Sequence, residues 1–261
     1  MSKKTDFTNN PLKIAVDGVK MLFQKAPMLA LALAILSTLG MWNSDFNQPT
    51  AVTENGTPVT DPAMDPAVIA IIAILAIIFL FGALVIGSML VGIFAYTSAE
   101  LAKGREVSFM VAVRAMLDRL WSFVWLQLLI IVKVLLWALL FIVPGIIMAV
   151  RYSLANLSFF DSDKKLTGNA AIKDSIALTK GAWVTTFAAQ VLPNLITLGT
   201  IRWIVDTGSK TALYRQFDEL RKTGRPHPEP HTLSWVTLAV VIFLAVAAIS
   251  LAGLGLAVKA I

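Results

Sequence analysis

The 261-residue chain contains no cysteine, which excludes disulfides, thiol nucleophiles and thiolate metal sites. It has only two histidines, His227 and His231. Two histidines four apart on a helix can bind zinc, but Pro226, Pro228 and Pro230 forbid a helix there. The run is therefore expected to be a stiff extended linker and not a metal site. Charged residues are scarce, at 15%. No nucleophile–base motif, phosphate-cradling glycine loop or zinc-protease sequence occurs, so no catalytic residue, no cofactor and no enzymatic activity are expected. The net charge is +6, but the basic residues stand in short stretches beside apolar runs. That distribution fits contact with anionic membrane lipids and argues against a nucleic-acid partner.

What the chain has in excess is apolar surface: 57% of residues, with a mean hydropathy of +0.76. Several runs reach the roughly 20 residues needed to cross a bilayer. Spans are expected at 26–43, 66–97, 120–143, 144–161, 182–205 and 233–258. The predicted fold is all-α, a polytopic transmembrane helix bundle of about 6–7 membrane segments. One or two of these are expected to be hairpins broken by Pro and Gly, with amphipathic helices in the interface. Residues 1–10 are polar and expected to be disordered, and 11–261 form a single membrane domain. Charge precedes the first apolar run, as in a signal peptide, but no small-x-small site follows it, so an uncleaved helix is expected.

Residues 11–25 place Lys13, Asp17, Lys20 and Gln24 on one helical stripe, opposite Leu12, Ala15, Val16, Val19, Leu22 and Phe23. Such a helix beside a span is expected to lie flat in the interface. Thr167–Lys180 forms another amphipathic helix, stopped by Gly181. In the second span, Ala83/Gly87 and Ser88/Gly92 are small pairs four apart that admit close helix packing. Residues 44–65 hold Asp45, Glu54, Asp61 and Asp65 with no Lys or Arg, whereas the other polar stretches each carry at least four basic residues. By the positive-inside rule this loop is outside and the N-terminus cytoplasmic, in a cytoplasmic membrane.

Residues 182–216 admit two readings. A single span over 182–205 would place Lys210, Arg215, Arg221, Lys222 and Arg225 outside, against the same rule. A bent hairpin turning near Pro193-Asn194 or Gly199 returns the chain to the cytoplasm at Tyr214. An internal echo favours the hairpin: YTSAELAKGR at 96–105 and YRQFDELRKTGR at 214–225 share Tyr, Glu-Leu, Lys, Gly and Arg in order.

Ile142-Val143-Pro144-Gly145-Ile146-Ile147, then Arg151-Tyr152, Asp161 and finally Ser175-Ile176-Ala177-Leu178-Thr179-Lys180-Gly181 occur in sequence. This series resembles the membrane domain associated with glycerophosphoryl diester phosphodiesterases, and related bacterial membrane families. The resemblance covers residues 90–220, more loosely back to residue 12. In that group a separate soluble domain carries the phosphodiesterase chemistry, so the resemblance implies a fold and a location but no activity.

Charge inside the apolar runs remains. Lys133 lies eleven residues before Pro144 and Arg151 seven after it, on the two arms of a hairpin that Pro144-Gly145 would close. Together they are expected to form one anion site for a lipid phosphate, since arginine's planar fork suits phosphate. Arg202 and Asp206, one turn apart, are expected to pair. Two functions fit. One is a non-enzymatic scaffold, regulatory or lipid-contact component of a bacterial envelope, partnered by lipids, by copies of itself or by other membrane proteins. The other is a small transporter or permease using Lys133 and Arg151, with a membrane enzyme as a remote third.

Overall fold

A computed structural model describes residues 7–42 and 66–259, and among these every regular element is an α-helix. The helices are α1 (Pro11–Lys25), α2 (Pro27–Trp42), α3 (Pro66–Ala102), α4 (Phe109–Asp118), α5 (Leu120–Leu140) and α6 (Ile142–Tyr152). They continue as α7 (Ala155–Phe160), α8 (Gly168–Leu178), α9 (Trp183–Ile196), α10 (Arg202–Lys222) and α11 (Thr232–Lys259). Three stretches are long and apolar enough to cross a membrane: Pro66–Ala102, Leu120–Leu140 and Val143–Phe160. A fourth is added if Pro11–Lys25 and Pro27–Ile35, bent by 114° at Ala26, count as one span. The membrane character expected from the sequence is there, with three to four such helices among the described residues in place of six or seven.

The helices fall into three successive units, each an amphipathic helix, an apolar helix and a return arm. The units are α1–α2–α3, α4–α5–α6/α7 and α8–α9–α10. Each amphipathic helix packs on the return arm of the unit before it: α4 on α3, α8 on α7, and α1 on α10, which closes the ring. The return arms α3 and α7, and α3 and α10, pack on each other at the centre. Phe123, Phe159 and Phe160 form a ring cluster there, with Tyr96 edge-on to Phe160.

The first helix is anchored at its start and packed along one side. Asn10 caps α1 by accepting the Leu12 N–H at 3.0 Å, and Asn9 donates to the Glu229 carbonyl at 2.7 Å, so residues 7–10 are held in place. Helix α1 does not lie alone in the interface, because Ile14, Ala15, Gly18 and Leu22 are buried against its neighbours. At the crossing with α10, Gly18 faces Gly208, and a Cβ built on Gly18 would lie 1.9 Å from the Gly208 oxygen. The two backbones touch because neither residue has a side chain. Of the two small pairs in α3, Ser88 and Gly92 are buried, Gly92 under Met116, while nothing lies within 4 Å of a Cβ on Gly87.

The bends also move. The break between α5 and α6 is at Phe141, which is extended (φ −158, ψ 138), and not at Pro144-Gly145. Pro144 occupies the third position of α6, where a missing N–H costs little because first-turn N–H groups have no acceptor within the helix. Gly145 serves the hairpin differently, since its Cβ would come 2.8 Å from Ala138 Cα on the facing arm. In 182–216 the hairpin is the reading that forms. Pro193 stays inside α9, and the chain turns through Leu198 (φ 49) and Gly199 (φ 73) into α10. Helices α3 and α10 end in the same stop. Gly104 N donates to Leu101 O and Arg105 N to Glu100 O, as Gly224 N does to Arg221 O and Arg225 N to Leu220 O. The αL glycine in each stop is φ 80 at Gly104 and φ 64 at Gly224. The echo is thus structural, but its hydrogen bonds equate Glu100 with Leu220, one residue off the Glu-Leu match. The loop 44–65 lies outside the described residues.

Candidate functional site

The three return arms end together, and each brings a buried acid to the same place: Glu100 from α3, Asp161 at the C-cap of α7, Asp218 from α10. A carboxylate taken out of water demands a cation. Lys103 pairs with Asp161 and, at 2.7 Å, with Asp163. Arg105 pairs with Glu100 and donates to Ser162 Oγ at 2.7 Å, and Ser162 in turn donates to Glu100. Lys164 sits at the centre, 3.1 Å from Asp174, 3.0 Å from Asp218 and 3.8 Å from Asp161. Arg221 pairs with Asp174, Lys222 with Asp218 at 2.6 Å, and the Tyr214 hydroxyl donates to Asp161 at 2.6 Å.

The electrostatics follow from the packing. Burial pushes the Asp161 carboxyl up, but the Lys103 ammonium and the Tyr214 hydroxyl outweigh it and hold the group below its ordinary value. Asp218 is likewise pushed up by burial and drawn below its ordinary value by Lys222 and Lys164. Tyr214 is driven well above the usual phenol range, by burial first and then by its bond to Asp161. All three groups therefore keep one protonation state across the neutral range. A cleft of about 570 Å³ opens between the ends of α3 and α10, bordered by Lys103, Arg105, Asp163, Arg215, Glu219 and Lys222. With both signs of charge engaged in pairs, the cluster can clamp three helix ends together, and it offers no poised acid or base.

The sequence-predicted residues have other partners. Lys133 donates to Asn169 Oδ1 at 2.7 Å, at the start of α8. The Arg151 carbonyl accepts from Ser175 Oγ at 2.6 Å, further along the same helix, and Arg151 Nε is buried without a hydrogen-bond partner. Lys133 thus reaches the start of α8 through its side chain, whereas α8 holds only the backbone of Arg151. Asp206 does not pair with Arg202 but with Lys210, one turn onward, at 2.7 Å. The Arg202 guanidinium instead lies 5.6 Å from the Trp203 ring centre. His231 accepts the Leu233 N–H at 3.1 Å and so caps α11, and His227 stands edge-on to Phe217 at 4.7 Å. Among the described residues no group of three His, Asp or Glu is placed to hold a metal.

The charged cluster was missed in the sequence because its members come from four separated stretches, around residues 100–105, 161–164, 174 and 214–222, each of which reads singly as solvated. The available signal was an acid recurring at the end of every return arm. No family model matches the chain, and neither does any curated protein or solved structure.

Proposed function

We propose that this chain is a non-enzymatic lipid-contact scaffold of a membrane, held by a few full spans and wedged into one leaflet by two helical hairpins. The observation that carries the reading is the chemistry of the hairpin tips. Leu139 is 85% exposed, Phe141 69% and Leu198 89%, and the α5–α6 turn from Leu139 to Val143 has no polar side chain. A hairpin that crossed a bilayer would end in a polar loop in water. These tips belong in hydrocarbon, with both arms returning to one side.

The lengths agree. Helix α9 has 14 residues and rises about 21 Å, short of the ~30 Å core, and the arm from Val143 to Phe160, long enough to span in one piece, is broken at Ser153-Leu154 between α6 and α7. Beyond Lys133, where Asn169 marks a polar level, α5 runs only seven residues to Leu140, about 10 Å. The exposed first half of α3 is then a full span, and the charged cluster with its basic flanks lies on the cytoplasmic side by the positive-inside rule. The suggested kinship with the phosphodiesterase-associated membrane domain accords with this location.

The test uses the absence of native cysteine. Leu139→Cys and Leu198→Cys in sealed vesicles are expected to resist a membrane-impermeant maleimide from both sides, and to react only after detergent is added. Labelling of either tip from the side opposite Thr223→Cys would make that hairpin a true span and overturn the reading. Uptake of a labelled solute into vesicles carrying the protein would favour the alternative reading, a small permease using Lys133 and Arg151.

A further inference from the structure

Between the three return arms, toward the membrane from the charged cluster, lies a pocket of about 120 Å³. All three arms line it: Phe94 and Ser98 from α3, Asn156 from α7, and Trp203, Asp206 and Lys210 from α10. Ser153, which also borders it, is satisfied, donating to Val150 O at 2.7 Å and accepting from Gln190 Nε2 at 2.9 Å. Two other oxygens are not. Ser98 is 1% exposed and its Oγ has no hydrogen-bond partner, and Asn156 Oδ1 is buried with none either. A buried polar oxygen without a partner costs on the order of 1–3 kcal/mol, and Asn156 Oδ1 can only accept, so the pocket favours a ligand that brings donors.

The charge of the pocket narrows the class. Asp206 and Lys210 form one pair at 2.7 Å, so the lining is neutral overall but carries both signs. A bare anion could accept from the Ser98 hydroxyl, but it would leave Asn156 Oδ1 unpaired and face the Asp206 carboxylate. An ammonium would give N–H donors to Ser98 Oγ, Asn156 Oδ1 and the Asp206 carboxylate, leaving Lys210 to meet an attached phosphate. A volume of about 120 Å³ admits a small polar group such as an aminoethyl. Val91, Phe94 and Trp203 supply an apolar wall beside it.

We propose that this pocket binds the ammonium end of a zwitterionic phospholipid headgroup, the primary-amine class typified by phosphatidylethanolamine, through Ser98, Asn156 and Asp206, with Lys210 on the phosphate. The proposal rests on the lipid-contact reading and names the lipid it selects.

The test compares headgroups that differ only in donors. The full chain is reconstituted in vesicles of equal parts phosphatidylethanolamine and phosphatidylcholine, extracted gently, and its retained lipid measured by mass spectrometry. Choline has a positive charge but no N–H. About tenfold enrichment of phosphatidylethanolamine is expected, falling to about onefold in Ser98→Ala and Asn156→Leu. Thermal melts of the same samples identify any variant that fails to fold. Ser98→Ala removes an orphaned hydroxyl and should melt no lower than the parent in lipid-free detergent. Equal retention of the two lipids, or enrichment untouched by Ser98→Ala, overturns the proposal. Displacement of the bound lipid by millimolar free ethanolamine would assign the pocket to a soluble amine and overturn the lipid source. The hairpin-tip labelling is independent of this measurement, so failure here leaves the wedge reading standing.

Discussion

The crossing of α1 and α10 gives the sharpest quantitative expectation. Replacing Gly18 with Ala adds one methyl, whose carbon would sit 1.9 Å from the Gly208 carbonyl oxygen and 2.3 Å from its carbon. Since Cβ atoms essentially never come closer than 3.0 Å to such atoms, the helices must part by at least 3.0 − 1.9 = 1.1 Å. A gap of that size forfeits about a quarter to a half of the dispersion energy across the contact, here involving Ile14, Ala15 and Leu22. Because the atom struck is backbone and cannot swing away, the cost belongs at the upper end for overpacking, about 3 kcal/mol. Alanine returns about 1 kcal/mol through its better helix propensity, leaving a net loss of about 2 kcal/mol. For a chain of this size that corresponds to a melting temperature lower by about 4–8 °C. The control is Gly82→Ala in α3, where nothing lies within 4 Å of the added carbon, so the same substitution should raise the melting temperature slightly. Tryptophan fluorescence melts in detergent report both. If Gly18→Ala melts at or above the parent temperature, the helices do not cross at these glycines.

Other perturbations probe the charged cluster and the topology. Asp161→Asn leaves Lys103, whose side chain is only 10% exposed, with the more exposed Asp163 as its one carboxylate, and should lower stability in a chemical melt by less than the ~3–5 kcal/mol of a fully stranded buried charge; an unchanged melt would refute the pairing. Asp161 and Asp218 are held below the ordinary 3.8 in the fold, so their stabilisation is complete above that value and is lost as pH falls below it. Melts should therefore be level from pH 7 to 5 as far as these groups act, then fall below about pH 4; unchanged stability at pH 3 would refute the assignment. Thr223→Cys, just before the Gly224 stop, should be labelled from the same side as Glu106→Cys, just after the Gly104 stop; labelling from opposite faces would refute the parallel arrangement of α3 and α10.

Composition and local pattern determined much of this protein. Runs such as Pro66–Ala102 are apolar all round, and a helix with no polar face has few destinations except lipid. The amphipathic stretches at 11–25 and 167–180 and the glycine stop at 181 were legible because each depends on one residue type at one spacing. The turn near Gly199 was legible from charge, because a single span would have put five basic residues on the wrong side.

Tertiary structure decided which surface each element meets. The polar stripe of α1 looked like an interfacial helix, and only the facing Gly208, 190 residues away, shows that its other side is a packing face. Asp206 had basic residues four away on either side, Arg202 and Lys210, and helical spacing alone cannot choose between them. Lys133 looked bereft of a partner because Asn169 is brought to it by the fold of another unit. The clamp of Glu100, Asp161, Asp174 and Asp218 has the same cause. Its ion pairs join residues up to 60 apart, and a buried pair is specified by where three helices end and not by any motif along one of them.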